Sequence, residues 1–224
     1  MNTDRFGLAG DDYVPDVAGD SAAIVEAFFD HLAVSLRDAD LPDELFIGMR
    51  ASLVELAAAD EQRGVDESAR YNLWMTLALV VAYRALRPRL GREVTVAALR
   101  AAFVEPLAEP VQAGTRAMLD AADDPFAAMV AVSKAREMYA FGAGFDFART
   151  VDDDESYHLD VVRCFYHDVL VAHSAPELTP VMCEFDANWI RAIDPAKHGF
   201  RFERVITIGL GGTHCPFHWD RTES

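Results

Sequence analysis

Cysteine, basic charge and long apolar runs are all scarce in this chain of 224 residues. Three cysteines cannot pair completely and are too few for a disulfide scaffold. Residues Met1 to Phe6 lack the basic start and apolar run of a secretion signal. Both absences point to a cytoplasmic protein whose thiols stay free. Basic side chains number 20 against 37 acidic ones, so the formal charge is −17. Such a chain repels phosphate, which excludes sequence-independent nucleic-acid binding, and it is repelled by anionic membrane surfaces. The most apolar stretch, Leu73 to Tyr83, stops at Arg84, well short of the ~20 residues a membrane span needs.

The residues that are abundant suit a globular fold. Hydrophobic side chains make up 51% and charged ones 25%, which excludes general disorder and supports a sizeable core. Residues 1–20 hold Asp4, Asp11, Asp12, Asp16 and Asp20 among glycines, and read as a flexible acidic arm. Residues 21–224 read as a single α+β domain, helical over 21–145, with the site-bearing part over 156–219. Helical spacing starts after Asp20-Ser21 and again at Leu41-Pro42-Asp43-Glu44. Asp66 caps a third helix, apolar almost all round and ending near Leu86 before Pro88, so that helix belongs at the centre of the core. A fourth opens at Thr95 and is interrupted by Pro106 and Pro110, and Asp123-Asp124-Pro125 caps another running to Tyr139.

Beyond residue 145 the composition changes. Six of the seven histidines and all three cysteines fall between His158 and His218. Asp152 to Glu155 suit a helix N-terminus, with a helix expected from Ser156 to Ala172 and another from Pro176 to Ile193. Phe200 to Leu210 alternates like a strand, and so does Cys215 to Trp219, with Gly209, Gly211 and Gly212 as the turn between them. A lone hairpin is marginal, so it must pack on helices or join further strands.

Several side chains here carry chemistry. On the expected helix from Ser156, Asp160, Cys164, His167 and Val171 share a face. A thiol one turn from an imidazole suits a nucleophile and its base, although a lone helical cysteine is more often a small buried residue. Arg163 and His167 form a basic pair able to receive a carboxylate. Asp186 lies on the apolar stripe of Cys183, Ile190 and Ile193, where a carboxylate needs either a partner or a raised pKa. It suits a general base, or an ion pair with Arg204, which interrupts the apolar face of its own strand. Arg201 and Glu203 belong on the opposite, exposed face. His214 and His218 share a face opposite Cys215, and there is no paired C-x-x-C, so neither a metal nor a cofactor is expected.

These residues resemble the L-2-amino-thiazoline-4-carboxylic acid hydrolase family. The resemblance covers 156–219 and rests on Cys164-Phe165-Tyr166, Pro176-Glu177-Leu178, Cys183-Glu184-Phe185-Asp186, Phe202-Glu203-Arg204 with Thr207, Gly209 and Gly212, and Cys215-Pro216-Phe217-His218. Pro216 and His218 depart from it, where aspartate and arginine are common. The resemblance implies hydrolysis of a cyclic C=N bond in a small amino-acid-derived substrate. It further implies that Arg204 binds the substrate carboxylate and Asp186 accepts a proton. Cys183 or Cys215 attacks the ring or lines the pocket, Cys164 helps bind substrate, and His167 and Tyr166 relay protons. Two alternatives keep the pocket. One is ring closure by amine attack with loss of an anion such as sulfate, held by Arg163, Arg204 and His218. The other is a non-catalytic ligand-binding subunit in a homo- or hetero-oligomer.

Overall fold

The computed structural model describes residues 13–39 and 41–222. The fold is α+β, a helical body carrying a small antiparallel sheet near the C-terminus. Helix α1 (Val17–Ser35) starts earlier than expected, because Asp16 rather than Asp20 caps it by accepting the Gly19 N–H at 3.0 Å. Residues 17–20 are therefore helical, and the rest of the expected arm up to Asp12 lies outside the described residues. Helix α2 (Asp43–Ala59) follows Pro42 directly. Helix α3 (Glu67–Leu90), capped by Asp66, is the central helix of the body and packs against α1 and α2. It continues through Pro88 instead of stopping before it, since a proline in the last turn forfeits one terminal hydrogen bond. Helices α4 (Arg92–Val104), α5 (Ala108–Ala121) and α6 (Pro125–Tyr139) complete the body.

The expected helix from Ser156 is instead a strand and a short helix. Strand β1 (Asp146–Asp152) turns back into β2 (Ser156–Arg163), and α7 (Phe165–Ala172) begins only after Cys164. The acidic run forms the turn: Asp153 Oδ1 accepts the N–H groups of Glu155 and Ser156 at 2.9 and 2.8 Å. Tyr157, Leu159 and Val161 alternate inward, so period two wins over the helical spacing of Asp160, Cys164 and His167. The helix expected over 176–193 breaks into α8 (Thr179–Glu184) and α9 (Ala187–Ile190), with Asp186 between them. After α10 (Pro195–His198) comes β3, which covers only Phe200–Glu203 of the expected strand. There the chain leaves the ladder, because the Arg204 guanidinium is bound by Asp186 and the Cys183 carbonyl. A short 3-10 turn, Ile208–Leu210, leads to β4 (Cys215–Arg221).

The hairpin does join further strands. The sheet order is β1-β2-β4-β3, all antiparallel, with Tyr157 opposite Trp219 and Phe202 opposite Trp219 on the other side. Arg201 and Glu203 are exposed on the outer face, as their alternation requires. One core cluster fills the helical body, and a second sets the inner sheet face against Met118, Phe126 and Met129 of α5 and α6. Phe147 and Phe217 pack against both.

Candidate functional site

A cavity lies between the two clusters and has two lobes, of about 180 and 150 Å³. Asp20, Arg136, Phe185, Asp186 and Phe217 line both lobes and form the waist between them. The larger lobe gathers Cys164, Tyr166, Cys183, Asp186, Arg204 and Cys215. Four segments supply these six side chains: the start of α7, the α8–α9 joint, the exit of β3 and the start of β4.

Asp186 and Arg204 form an ion pair, Nη1 to Oδ2 at 2.5 Å, and the Trp189 indole N–H donates to Asp186 Oδ1 at 3.1 Å. Arg204 Nη2 also donates to the Cys183 carbonyl at 2.9 Å, and its guanidinium lies 5.2 Å from the Phe217 ring centroid. Of the two alternatives for Asp186 the ion pair with Arg204 is formed, and it is part of the cavity wall. Gly209 brings the 3-10 turn onto α8, where a Cβ would come within 2.8 Å of Thr179 Cγ2 and 3.0 Å of the Pro180 nitrogen. That approach sets the Ile208 N–H 3.1 Å from the Cys215 sulfur, to which it donates.

Asn72 organises the opposite wall. Its Oδ1 accepts from the Tyr166 hydroxyl at 2.9 Å, and its Nδ2 donates to the Ala140 and Phe141 carbonyls at 2.9 and 3.0 Å. Asp66 ties down the same loop while capping α3: Oδ1 accepts from Ala69 N–H and Oδ2 from Ala143 N–H, both at 2.7 Å. Phe141 and Phe145 of that loop line the cavity.

Three residues named from the sequence lie off the cavity wall. His167 stands behind it, its Nδ1 3.0 Å from Oγ1 of the lining residue Thr179. Arg163 is exposed and pairs with Asp168 at 2.9 Å. His218 occupies the outer sheet face because Phe217 and Trp219 take the inner positions; it pairs with Asp160 at 2.9 Å and stacks on His158 with ring centroids 4.1 Å apart. Sequence reasoning missed Asn72, Arg136 and Trp189. A signal existed for Asn72, a polar residue beside the apolar run of a helix buried on all sides.

The sequence model of the L-2-amino-thiazoline-4-carboxylic acid hydrolase family matches residues 71–219. The chain belongs to this family. The match extends the resemblance from the last third back into α3 and takes in every described cavity residue except those from Pro15 to Ile24. Searches of curated proteins and of solved structures return no match. Among the described residues, no group of three or more His, Cys, Asp and Glu side chains is arranged to hold a metal ion, and no helix is long and apolar enough to cross a membrane.

In this family member the three thiols are unbridged. Burial pushes Cys164 up to about 12 and Cys183 up to about 11. Burial also raises Cys215, opposed by the Ile208 N–H and the Arg204 charge. Tyr166 is raised by burial as well, so its hydroxyl stays a donor. A thiol with a raised folded pKa stabilises the fold fully below its unfolded value near 9. Above that pH the unfolded chain holds fewer protons than the folded one, so stability falls until the folded pKa is passed. Urea midpoints are therefore expected to decline from pH 9 towards pH 11, and less steeply in Cys183→Ala than in wild type. Parallel declines would show that Cys183 titrates alike in both states.

Proposed function

We propose that the protein hydrolyses the cyclic C=N bond of a thiazoline-type, amino-acid-derived substrate. The observation that carries this reading is the gathering of three cysteines and the Asp186–Arg204 pair around one cavity lobe, in a chain of this family. Arg204 is already bound by Asp186 and the Cys183 carbonyl, so the substrate carboxylate is assigned to Arg136 at the waist. This revises the carboxylate role first given to Arg204.

Water adds to the C=N carbon, with Asp186 taking its proton. The ring C–S bond then breaks, the water oxygen becomes the new carbonyl, and the two protons end on the ring nitrogen and the released sulfur. Arg204 holds Asp186 oriented for this step. Cys183 and Cys215 line the path of the sulfur. Burial, which pushes Cys183 up to about 11 and also raises Cys215, favours this role over direct attack, because only the thiolate is strongly nucleophilic.

Mass spectrometry tests the reading. Incubation with 2-aminothiazoline-4-carboxylate and 2-alkyl analogues is expected to yield ring-opened N-carbamoyl and N-acyl cysteines, each heavier by one water. Turnover of amino-sulfates to cyclic amines, with no thiazoline opened, would overturn it in favour of ring closure. Ligand binding without any turnover would favour a sensor.

A further inference from the structure

The smaller lobe is built for something other than an amino-acid head group. Away from the shared Asp20, Arg136 and Asp186 its walls are mainly apolar and aromatic, with Thr115 and Ser133 among them: Trp189 and Trp219 stack with centroids 6.1 Å apart at 22°, Phe217 stacks on Trp189 at 6.4 Å, and Met129, Val132 and Leu159 close the far side. Trp219 is only 3% exposed, and its indole Nε1 has no hydrogen-bond partner among the described residues. The Trp189 indole, by contrast, is used by Asp186.

We propose that the substrate is amphipathic, with its amino-acid-derived ring in the thiol lobe and an aromatic tail in the Trp189–Trp219 lobe. This inference rests on the hydrolase reading above and specifies its substrate class. Asp186 lines both lobes, so the ring carbon that water attacks beside it faces the smaller lobe. A substituent on that carbon extends towards Trp219 while the carboxylate stays free for Arg136. The product is then an N-aroyl cysteine.

Equilibrium binding separates this inference from the reaction. The probes are 2-methyl- and 2-(4-methoxyphenyl)-thiazoline-4-carboxylate, measured by calorimetry before turnover or in a slow variant. Burying one aromatic ring predicts about tenfold or more tighter binding of the methoxyphenyl probe. Val132→Phe, which fills the lobe, is expected to abolish most of that preference. Should Val132→Phe fail to fold, tryptophan emission in the wild type serves instead, responding to the methoxyphenyl probe more than to the methyl one. Equal affinities in wild type overturn the inference and leave the hydrolase reading intact. A preference undiminished in Val132→Phe overturns the placement of the tail. If neither probe binds, both readings fall.

Discussion

Asp186→Asn is expected to lower kcat/KM for thiazoline opening by about a hundredfold or more, with the fold retained. The amide keeps the shape of the carboxylate and one oxygen to accept from Arg204 or Trp189, but it cannot take the proton of water. Asp186→Ala differs in kind. It leaves the Arg204 guanidinium, whose side chain is 13% exposed, without its anion. A fully buried pair broken on one side costs about 3–5 kcal/mol; with the Asp186 side chain 29% exposed, about 1–3 kcal/mol is expected. Steady-state kinetics and urea unfolding on the two variants separate the roles. Wild-type turnover in Asp186→Asn, together with wild-type turnover in Cys183→Ser, would remove this cavity from the reaction.

The helical body was legible because its signals are local. Asp66 and Asp124 cap where their positions suggest, and the all-round apolar face of α3 has one structural meaning, burial. β2 was hidden by coincidence: Asp160, Cys164 and His167 fall at helical spacing, while the alternation of Tyr157, Leu159 and Val161 spans only the first half of that stretch. β1 gave no alternating signal, since most of its side chains are half-exposed or exposed at a sheet edge. The pairing of Asp186 with Arg204 was readable without the correct elements, because each breaks an apolar pattern and a buried charge must find a partner. Arg163, His167 and His218 were assigned by sequence neighbourhood, and their positions depend on a sheet whose register no local pattern reveals.

The cavity wall also explains why the least conspicuous site residue carries a large expected effect. Asn72 is 5% exposed, and all three of its side-chain hydrogen bonds reach elements distant in sequence. Asn72→Leu keeps the volume but leaves the Tyr166 hydroxyl and the Ala140 and Phe141 carbonyls without this partner. At about 1–3 kcal/mol for each buried group left unpaired, and with the loop carbonyls free to find water, the expected loss is about 2–4 kcal/mol in urea unfolding. Loosening the loop also moves Phe141 and Phe145. Gly144 makes that movement consequential, since the loop backbone lies so close to Phe165 that a Cβ there would overlap the ring. The site should therefore lose substrate affinity as well as stability. A double-mutant cycle with Tyr166→Phe isolates one strand of the argument: the coupling is expected at about 0.5–1.5 kcal/mol, because the phenol is left unpaired only in Asn72→Leu alone. Additive effects would mean that Tyr166 finds another partner, and that Asn72 acts through the loop alone.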